Sequence, residues 1–106
     1  MVERVMRGST PRHEFEVGEA EFDVAMVADL RISYAQDGEE VLVKALGDCE
    51  LEGRVIACRL TQEETYKFDS EKKLFVQLKV KTQGGEVIVS EPITLIVGRS
   101  FNDEVL

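Results

Sequence analysis

The chain has 106 residues, 43% of them hydrophobic and 32% charged, which suits one globular domain with its own core. Its formal charge is −8 and it has no lysine- or arginine-rich run, so a phosphate-tracking nucleic-acid surface is not expected. No apolar run approaches the roughly 20 residues that span a bilayer, and two cysteines are too few for a disulfide framework.

Residues 1–12 lack the apolar stretch of a signal peptide. They are expected as an extended or partly flexible arm ahead of a single domain over 13–106. His13–Val17 and Glu21–Val27 both alternate, with Phe15 and Val17, then Phe22, Val24 and Met26, on single faces. One or two strands are expected there, with Gly18 turning between them.

Three turn signals organise the chain beyond Val27. Asp37-Gly38 separates Leu30–Gln36 from Glu39–Ala45, and Glu52-Gly53 separates Cys49–Leu51 from Arg54–Leu60. Gly84-Gly85 separates Leu74–Gln83 from Glu86–Val97. Asp-Gly and Gly-Gly supply the positive φ angles that tight hairpins need.

Register can be tested by asking whether paired strands bury one face. With Asp37 and Gly38 as a two-residue loop, Tyr34 faces Val41, Ile32 faces Val43 and Leu30 faces Ala45. With Gly84 and Gly85 as the loop, Val80 faces Val89 and Thr82 faces Val87, while Leu74, Val76 and Leu78 continue the inward row. Pro92 interrupts that ladder, marking an edge or a bulge before Ile93, Leu95 and Val97. In the middle hairpin Cys49 faces Ile56, leaving Cys58 diagonal at about 7–8 Å. A disulfide needs about 4.4–6.8 Å between Cα atoms, so two buried, reduced thiols are expected.

Thr61-Gln62-Glu63-Glu64 is a capping box: the Thr61 hydroxyl accepts from the Glu64 amide while the Glu64 carboxylate reaches back. It predicts about one helical turn, with Tyr66 or Phe68 plugging one end of the core. About seven short strands with frequent turns predict an all-β fold, an antiparallel immunoglobulin-like β-sandwich. A small β-barrel is the alternative.

Chemistry is scarce. His13 is the sole histidine, which rules out triads and multi-histidine metal sites and leaves a surface or packing role. Glu39-Glu40, Glu63-Glu64 and Asp103-Glu104 are explained by opposite strand faces, helix capping and solvation. No phosphate-binding glycine loop occurs. The expectation is a protein without catalytic residues, cofactor or metal. Leu42, Phe75, Ile88 and Ile96 alternate with the inward rows and are placed on outer faces, where a contiguous patch would mark an interface.

Arg7-Gly8-Ser9-Thr10-Pro11 with His13, Tyr34-Ala35-Gln36, Leu60-Thr61-Gln62-Glu63-Glu64-Thr65 with Phe68 and Gln77, and the terminal Asn102-Asp103 together carry a resemblance. From Arg7 onward the chain resembles short proteins encoded in prophages and phage-like regions of Firmicutes and related gut bacteria. The resemblance implies a non-enzymatic phage structural or assembly-associated protein that acts through protein–protein contacts. Its partners would be phage structural components or further copies of itself. It would be made in the bacterial host cytoplasm and assembled into a phage particle. The acidity suggests a second reading, a small regulatory or host-interaction module that mimics nucleic acid. That reading would gather Glu14, Glu16, Glu19, Glu21 and Asp23 on one rim.

Overall fold

A computed structural model describes residues 3–16 and 23–106. The described strands are β1 (Glu3–Met6), β2 (Arg12–Glu16), β3 (Val27–Gln36), β4 (Glu39–Ala45), β5 (Cys49–Glu52) and β6 (Val55–Arg59), followed by β7 (Lys73–Thr82), β8 (Val87–Val89) and β9 (Ile93–Gly98). One helical turn, α1 (Gln62–Thr65), lies between β6 and β7. The larger sheet has the order β1-β9-β7-β3-β4, with β8 also on β7. The smaller sheet has the order β2-β6-β5. β1 runs parallel to β9, and the other pairs are antiparallel.

Ranking the strands by position gives B, E and D in the smaller sheet and G, F, C and C′ in the larger one. That is the variable-type order of an immunoglobulin-like sandwich. No ladder joins the two sheets among the described residues, so the fold is an open sandwich and not a barrel. Between the sheets lie Leu30, Ile32, Tyr34, Ile56, Cys58, Leu60, Phe68, Leu74, Val76, Val80 and Val97. Instead of an inter-sheet disulfide, the centre holds Tyr34. Its hydroxyl shares a 2.7 Å hydrogen bond with His13 Nδ1, and its ring stacks on Phe68 at 5.7 Å. Phe68, not Tyr66, plugs the core. Burial raises the Tyr34 phenol far above its ordinary value and keeps it neutral. Tyr34→Phe is expected to lower unfolding free energy by about 1–2 kcal/mol, read by urea denaturation.

Residues 3–12 join the sandwich. Val5 is buried beside Val97, and β2 already begins at Arg12. Within the strand expected over Glu21–Val27, Val24–Met26 forms a 3-10 turn, where Asp23 Oδ1 accepts from Ala25 N at 2.8 Å, and Val27 begins β3. The local cap prevails over the alternation there. Val17, Gly18, Glu19, Glu21 and Phe22 lie outside the described residues.

All three hairpins form, and each departs from its expected register for a physical reason. Asp37 and Gly38 both take positive φ, as the two-residue loop requires. The ladder then shifts between Tyr34 and Ala35, so that Tyr34 faces Leu42 and Ile32 faces Lys44. Val41 is the extra residue of a β-bulge, and it reverses the faces of β4 beyond it. The loop after β7 holds three residues, Gln83 to Gly85, with Gly85 at φ +89 and Thr82 N donating to Glu86 O at 2.8 Å. A three-residue loop with a left-handed last residue moves β8 by one position, so Val80 faces Ile88 and Lys81 faces Val87. The middle loop is Gly53-Arg54, which sets Leu51 against Ile56 and Cys49 directly against Cys58. At the Pro92 break, β8 and β9 share one edge of β7 in turn. Ser90 Oγ there accepts from Leu78 N at 2.9 Å.

Candidate interaction surface

The capped turn anchors the chain. Thr61 Oγ1 accepts from Glu64 N at 3.1 Å, and Glu64 Oε1 accepts from Thr61 N at 2.8 Å. The same carboxylate accepts from Lys44 Nζ at 2.8 and 2.7 Å, a largely buried pair created by the β4 bulge. Burial acts against the Glu64 charge, but Lys44 and the Thr61 cap hold its carboxyl below the ordinary value. Arg7 donates to Tyr66 O at 3.1 Å and lies 5.3 Å from that ring's centre. Thr65 Oγ1 accepts from Gly8 N, and Gln62 Nε2 donates to Gly8 O. Tyr66 Oη donates to Asn102 O and Glu104 O, and Arg7 pairs with Asp103 at 3.4 Å. Gln36 brackets Asp69 through both amide atoms.

Arg7, Gly8, Gln62, Thr65, Tyr66 and Asn102–Glu104 therefore meet around α1, where their contacts hold the chain together. Lys44, Gln36 and Thr65 are the residues that strand alternation missed. For Gln36 the signal was a polar residue closing an apolar row, only the bulge explains Lys44, and Thr65 lies on α1, where strand alternation does not apply.

The outer faces differ in chemistry. On the larger sheet Phe75 stands 39% exposed between Ala35 and Thr94, with Ile96 half-buried on its diagonal. Val43, 40% exposed, points outward opposite Ser33, and Val87 and Val89 lie opposite Lys81 and Lys79. Arg4, Arg31, Lys73, Lys79 and Lys81 point outward among them, against Asp29 and Glu40, so this face is net positive in an acidic protein.

Two of the residues expected outside are not there. Leu42 is buried in the core, because the bulge turns it inward. Ile88 lies on the inner side opposite Val80, because the longer loop turns β8 over. Phe75 and Ile96 share the outer face as placed.

The smaller sheet is the counterpart. Glu14 and Glu16 on β2 and Glu50 and Glu52 on β5 flank Ala57 and Val55 on β6. Glu14, Glu50 and Glu52, with Val55 and Ala57, line a shallow trough of about 600 Å³. Arg12 crosses its end to pair with Glu14 and Glu50, and Arg59 is a further outward cation. Glu19 and Glu21 of the anticipated acidic rim lie outside the described residues, and Asp23 is occupied as a cap. Among the described residues, no group of three or more His, Cys, Asp or Glu side chains could hold a metal ion.

Fold and surface thus define a variable-type immunoglobulin-like sandwich with two outer faces of opposite charge. One solved structure to which the chain is similar is the V domain of amphioxus IgVJ-C2. The match covers 92% of this chain and 99% of that one at 16% identity, with a TM-score of 0.35. The strand order, not that likeness, defines the fold. No family model matches the chain, and no curated protein matches it.

Proposed function

We propose that the chain is a non-enzymatic structural or assembly component of a phage particle, made in the bacterial host cytoplasm and acting through contacts between copies. The observation that carries this reading is the opposite charge of the two outer faces. One copy's acidic trough complements the row Lys73, Phe75, Lys79 and Lys81 on the next copy's β7. Different patches meeting head to tail build rings or open filaments, according to the rotation between copies. Many weak contacts then add up through multivalency. The prophage resemblance supplies the setting.

Phe75 is the apolar member of that row. Phe75→Glu is expected to lower monomer stability by about 1–2 kcal/mol, because the partly buried ring loses its packing between Ala35 and Thr94, so its folded state is checked by circular dichroism. The same change removes self-association, read by sedimentation velocity. Phage particles induced from a host that carries the gene and purified on a density gradient should contain the wild-type chain and lack the Phe75→Glu variant. Particles free of the wild-type chain would count against the phage role.

The three glutamates of the trough favour a second reading, capture of a basic partner protein. Under it, Glu50→Lys abolishes capture, Phe75→Glu leaves it intact, and added salt weakens it steeply.

A further inference from the structure

We propose that Cys49 and Cys58 are a redox modification site that forms a reversible cross-strand disulfide by exchange with a low-molecular-weight disulfide such as oxidised glutathione. The two residues are direct partners in the β5–β6 ladder. The pair closing a two-residue loop, Glu52 with Val55, is hydrogen-bonded, and pairs alternate along an antiparallel ladder. Counting outward, Cys49 and Cys58 form a non-hydrogen-bonded pair, the type whose Cα atoms approach to about 4.5 Å. That lies within the disulfide range of about 4.4–6.8 Å, which a diagonal pair exceeds.

Both side chains point between the sheets. Cys58 belongs to the core at 1% exposure, and Cys49 packs against it half-buried. Each thiol also makes a weak backbone contact, Cys49 Sγ donating to Ala45 O at 3.3 Å and Cys58 Sγ to Arg59 O at 3.9 Å. Neither contact anchors the sulfur against turning toward its neighbour.

The exchange balances without any further reagent. The Cys49 thiolate, on the more accessible sulfur, attacks the glutathione disulfide and releases one reduced glutathione. The Cys58 thiolate then attacks the Cys49 sulfur of the mixed disulfide and releases the second. The protein loses two electrons and two protons, which appear as two glutathione thiols. Burial pushes the Cys49 thiol up and the Cys58 thiol to about 12, so the exchange is slow at neutral pH. The product ties β5, an edge of the smaller sheet, to β6.

The test uses the folded full chain incubated with oxidised glutathione, quenched with iodoacetamide and read by intact mass and peptide mapping. The expected product is a monomer lighter by two hydrogens, unlabelled, with the link mapped to 49 and 58 and reversed by dithiothreitol. Cys58→Ser should stop at a single glutathione adduct on Cys49. A wild-type chain that also stops at the adduct, or that keeps two labelled thiols while its urea-unfolded form oxidises, would overturn the proposal.

Discussion

Glu64→Ala is expected to lower the unfolding free energy by about 2–4 kcal/mol, the sum of a lost helix cap and a lost partner for a largely buried lysine. The carboxylate satisfies the Thr61 amide and the Lys44 ammonium together, and Lys44 has no route to bulk water comparable to that of an exposed lysine. Lys44→Met alone should cost less, since it leaves a capped carboxylate and not an uncompensated ammonium. Adding Glu64→Ala to Lys44→Met should cost little more than the cap, so the double-mutant cycle shows strong coupling.

The coupling depends on pH with a definite sign. The folded-state Glu64 carboxyl sits below its ordinary value, so its contribution is full above about pH 4.3 and is lost as pH falls through the folded value. Lys44 is penalised by burial, yet the Glu64 contact leaves it raised. Its contribution holds below about pH 10.4 and fades as pH rises through the folded value. The coupling energy from urea melts should therefore be flat across neutral pH and fall away in acid as pH drops through the lowered folded value. A coupling that does not fall at any acid pH where the protein stays folded would show that the pair is not ionic.

Gly8→Ala is the second large effect, about 2–3 kcal/mol from two sources. Gly8 holds φ +82, a left-handed conformation that a side chain strains. A Cβ there would also lie 2.5 Å from Tyr66 Oη and 2.6 Å from Cζ. The ring cannot simply swing away, because Arg7 stacks on it and its hydroxyl holds Asn102 and Glu104. The loss should appear in thermal unfolding together with faster hydrogen exchange over residues 102–106. Tyr66→Ala in the same background should recover part of it by removing the clash.

The range of each interaction decided whether the sequence revealed it. The capping box was legible because its partners lie three residues apart, and both of its hydrogen bonds form. Alternation in Leu74–Val80 was legible because β7 is a central strand whose inward row is buried throughout. Registers were not. One extra residue at Val41 and one at Gln83 each turned a strand over, moving Leu42 into the core and Ile88 to the inner side. Alternation is blind to such a change when apolar residues stand in a row, as in Val41-Leu42-Val43 and Val87-Ile88-Val89. The opposite charge of the two faces was hidden for another reason. It depends on which strands share a sheet, and Glu14 and Glu50 are brought together only by β6 lying between them. The convergence of Arg7-Gly8, Gln62-Thr65 and Asn102-Asp103 around Tyr66 likewise needed the third dimension.

Multi-angle light scattering of the purified full chain, across a concentration series at low and high salt, tests the contact between outer faces most directly. The expected result is a mass that climbs with concentration above the 11.9 kDa monomer, falls back on adding salt, and stays monomeric for Phe75→Glu. A wild-type mass fixed at the monomer value throughout the series would contradict contact between copies.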